Sequence, residues 1–513
     1  MKLTRIQLEK LDFDPAEQKG KYLSVFIRFS DQIVRRAPDY DAFCEQYESV
    51  PRSELRVQIL DRLHKRADTS WQRVGDLVQG LQAKKDIRAL KRFWIVNGFA
   101  CDATLEACVA LAKQRSVEYI YLQPEWMDQH RSKKQKFDRI RAKKLMARTV
   151  KNWRDDSDDA FSTTGLTIPW NVKRVQVDQV WEKEGLTGRG VVVGVIDSGL
   201  YPTPSLTTAL WRNSGEVFNG RDDTKNGYVD DVFGYNFSTR AFNVLNIGGQ
   251  DHEPHGSMCA GIIAGRAHNG LNLQTGLAPR SRIMVLKGAG GRLEAYEYAV
   301  EHGADIVSMS YMFVHKPLGN FRGVFRLAHE HMAAAGVLSV GGAGNYAKSH
   351  PKGLQIGVPK DIPCVIAAGG IMMNSKRASF SSGGPCYWDD VKFYEDYPPS
   401  KPLLKPDVTA LPAGYPVWGI PVEGTRFEKR GKTLMKYDKY VALATGPRGN
   451  SFSGPHVAGV AALMLEANPD LHPWQIKSII QKTCKKLSRR PSYEYGHGFI
   501  QGLDAVRVVR KLK

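Results

Sequence analysis

No stretch of 18 or more apolar residues occurs in the 513-residue chain, so the sequence offers no membrane-spanning helix. The N-terminus, Met1-Lys2-Leu3-Thr4-Arg5-Ile6-Gln7-Leu8-Glu9-Lys10, also lacks the uncharged apolar core of a secretory signal. A cytoplasmic location is the expectation. Cysteine is sparse: Cys44, Cys101, Cys108, Cys259, Cys364, Cys386 and Cys484 form no C-x-x-C pair, which argues against a disulfide framework or a structural zinc site. Acidic residues are the minority charge, 53 against 73 Lys and Arg, for a formal net charge of +20. That balance invites a nucleic-acid reading. Half of the excess, however, lies between Gln129 and Arg154, where eleven Lys or Arg residues accompany one acid, Asp138. No recognisable nucleic-acid-binding module goes with it. An exposed linker making weak contacts with anionic partners is the plainer expectation.

What is present is ample apolar material, 42% hydrophobic and 10% aromatic residues, enough for more than one domain. Residues 1–127 read as a small α+β unit. Its strand candidates are Tyr22 to Phe29, Phe93-Trp94-Ile95-Val96 and Val117 to Leu122, with helical stretches near 53–60, 77–81 and 103–112. Residues 128–165 run from positive charge into Asp155-Asp156-Ser157-Asp158-Asp159 and read as a solvated, flexible linker. From 166 to 513 the pattern is α/β. Apolar runs at 191–196, 283–286, 306–309, 337–340 and 365–368 alternate with helical segments at 293–302 and 324–335, the signature of a parallel sheet flanked by helices. Such sheets place their chemistry beyond the carboxyl ends of the strands, where Asp197 sits.

The strongest local signal is Gly449-Asn450-Ser451-Phe452-Ser453-Gly454-Pro455-His456-Val457-Ala458-Gly459, a small-residue turn opening an apolar helix. Pro455 is compatible with that helix only in its first turn, where backbone N–H groups lack intrahelical partners. Ser451 stands at the helix mouth, and on local grounds a plain N-cap is the stronger reading over an exposed nucleophile. Asn345, in Gly341-Gly342-Ala343-Gly344-Asn345, is locally a turn residue.

The Ser451 segment resembles the nucleophile motif G-T-S-M-A-x-P-H-V-A-G of the subtilisin-like (subtilase) peptidases, with Asn450, Phe452 and Ser453 as departures. Asp197-Ser198-Gly199 is similar to the family's D-T-G. His255-Gly256-Ser257-Met258-Cys259-Ala260-Gly261 is similar to H-G-T-H-V-A-G. The order Asp, His, Ser is also the family's. The resemblance covers 168–505 and implies a subtilisin-like parallel sheet and hydrolysis of peptide bonds in protein or peptide substrates. Ser451 would attack the carbonyl, His255 would act as base and then acid, and Asp197 would orient and charge-stabilise the imidazole. Asn345 and the Ser451 N–H would bind the oxyanion, and Ser308, Met309, Ser310, Tyr311 and Met312 would pair with an extended substrate. His252 is a rival base without the motif frame.

The sequence departs from the pattern it resembles at Tyr311-Met312, where the family usually carries Leu-Gly, at Met258, at Thr203 and in an insertion at 383–448. The loop 221–231 resembles one in bacterial subtilases, and its carboxylates Asp222, Asp223, Asp230 and Asp231 are of the type that suits structural Ca²⁺, although a solvated turn is the stronger local reading and no cofactor is required. Residues 92–121 are similar to the end of a subtilase propeptide, implying an intramolecular inhibitor whose release follows cleavage in 128–165. The competing expectation is a catalytically silent peptide-binding or interaction protein on the same fold.

Overall fold

The computed structural model describes residues 4–18, 21–124, 129, 137–156, 159–246, 255–267, 272–314, 317–418, 426–430, 433–438, 441–444 and 447–512. Near the N-terminus, β1 (Leu23–Phe29), β2 (Ile87–Phe93), β3 (Gly98–Ala103) and β4 (Val117–Leu122) form an antiparallel sheet in the order β2-β3-β1-β4. Side chains alternate across β1 as the period of two requires. Leu23, Val25, Ile27 and Phe29 enter one apolar cluster with Val78, Phe99 and Leu111. Phe26 faces the other way, into a cluster that includes Tyr296, Phe321 and Val324. That second cluster fastens the sheet onto the helices Leu293–Glu301 and Arg322–Ala334 of the larger body.

Of the strand expected at 93–96 only Phe93 is in a strand, ending β2; residues 94–96 lie in the turn between β2 and β3. Its Trp94 and Ile95 N–H groups both donate to Glu297 Oε1, at 2.5 and 3.1 Å. The apolar run reflects burial against the larger body rather than sheet pairing.

A second attachment comes from the 21-residue helix Arg52–Gln72. Arg52, 9% exposed, donates from Nη1 and Nη2 to Asp305 at 2.9 Å, to Gly336 O at 3.0 Å and from Nε to Pro469 O at 2.7 Å. Asp305 in turn accepts the Val192 N–H at 2.8 Å. Removing one partner of such a buried pair costs about 3–5 kcal/mol, because the other charge is left uncompensated. Arg52→Ala is therefore expected to lower the unfolding free energy of the full chain by about 3 kcal/mol, measured by urea titration. A change below about 0.5 kcal/mol, the range of an ordinary surface substitution, would show the contact to be inconsequential.

The expectation of a solvated linker is corrected where the chain is described. Arg139–Asn152 is a helix that buries Ala142, Leu145, Met146 and Thr149, an i, i+3, i+4, i+7 stripe beneath its charges. Trp153 Nε1 donates to Leu210 O at 2.9 Å, and Asp156 is buried among Arg266, Arg280 and Arg282. The charge count masked an amphipathic helix.

The larger body is a seven-stranded parallel sheet built from β5 (Val192–Asp197), β6 (Gly234–Asn236), β7 (Arg282–Lys287), β8 (Ile306–Met309), β9 (Leu338–Gly342), β10 (Ile366–Gly370) and β11 (Val408–Ala410). The order is β11-β10-β9-β8-β5-β7-β6, with helices on its faces, which is the architecture expected from the apolar runs. The chain winds one way from β5 through β7 and the other way from β8, so the strand order reverses between β5 and β8. In open parallel sheets that reversal leaves a crevice beyond the carboxyl ends.

The expected insertion at 383–448 begins within the core. Trp388, Val391 and Tyr394 are core residues packed with Phe325, and Cys386 pairs with Leu403 in an antiparallel bridge. A small antiparallel sheet follows, made of β12 (Val417–Trp418), β13 (Arg426–Arg430), β14 (Thr433–Asp438) and β15 (Val441–Ala444). All seven cysteines are free. Among the described residues no helix is long and apolar enough to cross a membrane.

Candidate active site

Asp197 ends β5 at the strand-order reversal, and His255 opens the helix His255–Ala264. The helix can start so close to the strand because its second residue is glycine. A Cβ on Gly256 would collide with Gly199 O, and the Gly256 N–H is free to donate to Ser198 Oγ at 3.1 Å. The result is a hydrogen bond from His255 Nδ1 to Asp197, 2.9 Å to Oδ1 and 3.0 Å to Oδ2. Asp197 Oδ1 also accepts the Ser198 N–H at 2.7 Å.

Ser451 lies in the single 3₁₀ turn Asn450–Phe452 that leads into the helix Ser453–Ala467. Backbone contact between that helix and β9 sets its position. A Cβ on Gly454 would come within 2.8 Å of the Gly341–Gly342 backbone, and one on Gly342 would collide with Asn450 O. Ser451 is tied to the other side of the crevice through its own carbonyl, which accepts Ser310 Oγ at 3.0 Å and Cys259 Sγ at 3.7 Å. Cys259 lies one helical turn below His255, its sulfur 3.9 Å from Nδ1 and 3.4 Å from Ser310 Oγ. The Phe452 ring centroid is 5.1 Å from that of His255. Three segments separated by up to 254 positions thus meet at one place.

Asn345 completes the group from the end of β9. Its Oδ1 accepts the Asn450 N–H at 2.8 Å, which fixes the amide with Nδ2 on its other side. Gly449, at φ +150°, leaves room there, since a Cβ would come within 3.2 Å of that nitrogen. Asn450 Nδ2 is itself held by Gly344 O and Ser381 Oγ, at 2.7 and 2.9 Å.

Of the five residues expected to line a substrate, the first two do not reach the crevice. Ser308 and Met309 are buried inner-strand residues, paired with Val195 and Ile196 on one side and Val340 and Gly341 on the other. Sheet pairing on both edges leaves them no partner to offer. Ser310, Tyr311 and Met312 emerge beyond the strand end. Behind them lies Lys360, fully buried, whose Nζ donates to Tyr311 O at 2.9 Å. Burial holds its ammonium down to about 7. Sequence reasoning missed both Lys360 and the contact role of Cys259. For Cys259 the signal was available in its i, i+4 spacing from His255 on one helix face. For Lys360 there was none, because only the fold brings its loop beneath Tyr311. His252 lies outside the described residues.

Burial works against a charged His255, but the Cys259 and Asp197 interactions outweigh it and hold its pKa above the ordinary histidine value. Burial also raises the Cys259 thiol, which is therefore neutral near pH 7, so the charge responsible for the net upward push is the Asp197 carboxylate.

The aspartates of the 221–231 loop are turned onto nearby donors. Asp222 accepts the N–H groups of Asn226 and Gly227 at 3.1 and 2.8 Å, and Asp223 accepts Asn219 Nδ2 at 2.9 Å. Asp230 takes the Asn219 and Gly220 N–H groups, both at 2.8 Å, while Asp231 takes Tyr298 Oη at 2.7 Å. Among the described residues, the one group of three or more potential ligands that converges is Asp197, His255 and Cys259.

Several known proteins are similar to this chain. Subtilisin-like protease 1 of Plasmodium berghei is 27% identical over 371 residues, covering 68% of this chain and 55% of its own length. Bacillopeptidase F of Bacillus subtilis is 26% identical over 477 residues, covering 89% of this chain and 29% of its own. The chain thus spans about half of the first relative and under a third of the second. Subtilisin DY of Bacillus licheniformis is 26% identical over 342 residues, covering 65% of this chain and 97% of its own. Fervidolysin from Fervidobacterium pennivorans, a keratinolytic enzyme related to subtilisin, shares the fold, with a TM-score of 0.51 at 17% identity over 96% of this chain and 62% of its own. The sequence pattern of the subtilase family matches residues 188–498, the span that carries Asp197, His255, Asn345 and Ser451. The chain belongs to the subtilase family.

Proposed function

We propose that this protein is a serine endopeptidase that cleaves peptide bonds through an acyl-enzyme on Ser451. One observation carries the reading: the His255–Asp197 hydrogen bond lies beside Ser451, and Asn345 is oriented by the backbone that precedes that serine. His255 takes the hydroxyl proton as Ser451 attacks and passes it to the departing amine. Asp197 holds the imidazole in the required tautomer and stabilises its cation. Asn345 Nδ2 and the Ser451 N–H stabilise the oxyanion. Three relatives bear the names of proteases or subtilisins, in keeping with this chemistry.

The test is covalent labelling by a fluorophosphonate. Labelling of the wild type that disappears in Ser451→Ala supports the reading, and absence of labelling in the processed wild type argues for a silent binder. Asn345→Ala is expected to lower kcat by about 10²–10³, the cost of losing one oxyanion donor, with KM little changed. A parallel loss in KM would assign Asn345 to binding instead.

The N-terminal unit acts as an intramolecular inhibitor in this proposal. Its sheet rests on the helices Leu293–Glu301 and Arg322–Ala334, and the chain beyond β4 reaches the crevice rim at Gln129. The Gln129 side chain donates to Gly291 O at 2.6 Å and accepts the Leu293 N–H at 3.1 Å, next to the crevice residue Gly290. Self-processing within 128–165 releases the unit, while the docked helix Arg139–Asn152 stays with the larger body.

A further inference from the structure

Among the described residues, one side of the Ser310–Met312 segment is an open recess and the other side is filled. The open one has a volume of about 220 Å³ and is lined by Ile196, Asp197, His255, Gly290, Ser310 and Tyr311. The other lies on the Asn345 side, between Gly344 and Gly357, and the chain fills it with its own Met312. A Cβ on Gly344 would collide with Met312 Cε, and Met312 Sδ accepts the Gly357 N–H at 3.2 Å. The side chain also packs against the cluster of Ala343, Ile356, Ala367 and Cys386. It is therefore contacted both at its sulfur and along its length.

The position of this recess gives the plug its consequence. Gly344 immediately precedes Asn345, the residue aimed at the oxyanion, so the recess adjoins the place where the attacked carbonyl must lie. A peptide extended along Ser310–Met312 directs successive side chains to opposite sides. In such a pose the one attached to the attacked carbonyl would point into the Gly344–Gly357 recess, while its neighbour would face the open cavity by His255. We propose that Met312 is a built-in plug that restricts the residue on the acyl side of the scissile bond to small side chains such as glycine, alanine and serine. The inference rests on the peptidase reading. It assigns selectivity to packing rather than to a charged specificity residue, since one misfitted methylene already discriminates by about tenfold to 200-fold.

The experiment uses the full-length protein after its own processing, with peptides that differ only in alanine or phenylalanine at the acyl position. Met312→Ala and Met312→Gly are compared with the wild type, the alanine variant being the milder change to the backbone. The wild type is expected to prefer the alanine peptide. Both variants should raise the ratio of kcat/KM for the phenylalanine peptide over that for the alanine peptide by about tenfold to 200-fold. A wild type that cleaves both peptides equally, or variants with an unchanged ratio, would overturn the plug. Plain fluorophosphonate labelling, which needs no acyl-side chain, separates the two failures. If it is absent from all forms the peptidase reading falls and the plug with it; if it is uniform while the peptide ratio stays fixed, only the plug falls.

Discussion

Ser451→Ala is expected to lower peptide turnover by on the order of 10⁶, the loss that removal of the nucleophile causes in subtilisin, a member of the same family. The stability of the chain should barely change. The bonds that seat residue 451 come from Ser310 Oγ and Cys259 Sγ and end on its backbone carbonyl, which alanine retains. The variant should also stay full length under conditions in which the wild type is cut between 128 and 165, as read by mass spectrometry of the purified chains. Turnover within tenfold of wild type would mean that another group is the nucleophile. Equal cutting of both proteins in a protease-free preparation would remove self-processing from the account.

Asp197→Asn is expected to cost about 10⁴ in kcat, because an amide cannot hold His255 in the tautomer that accepts the serine proton. Its second effect is on pH dependence. General-base catalysis needs neutral His255, and the neighbouring carboxylate raises the pKa of that imidazole above its ordinary value of 6.5. A raised pKa keeps the base protonated over more of the acid range. The acid limb of kcat/KM in the wild type should therefore lie on the alkaline side of 6.5. In Asp197→Asn the cation loses its stabilising charge while burial still disfavours it, so the limb of the residual activity should move to lower pH. Initial rates measured from about pH 5 to 10 on both proteins decide the matter. A wild-type limb at or below 6.5, or a limb that moves upward in the variant, would contradict the assignment of the charge to Asp197.

These expectations start from residues the sequence made conspicuous, but the sequence did not treat the site evenly. The parallel strands were legible because burial on both faces produces unbroken apolar runs, as in Val191 to Ile196. The short strands Gly234–Asn236 and Val408–Ala410 were not, since three residues give no periodicity to detect. Trp94 to Val96 misled for a related reason. Its apolar side chains are buried, yet against helices of another unit, so hydrophobicity reported burial without reporting pairing. In Arg139–Asn152 eleven-to-one charge over the surrounding stretch hid a four-residue buried stripe. Ser308 and Met309 were misplaced for a different reason, because their alignment in one segment with Ser310 did not reveal where the sheet ended.

The proposed reacting groups were legible in the chain itself, because a hydroxyl, an imidazole and a carboxylate are fixed by covalent structure, and the small residues around them leave a local pattern. Their distances were not, nor was the fact that Met312 occupies the space beside Asn345 while Lys360 stands behind Tyr311. Those depend on backbones far apart in sequence approaching until glycine alone fits between them, as at Gly256, Gly342 and Gly454. Close packing is a property of surfaces meeting in three dimensions, and no single segment contains both surfaces.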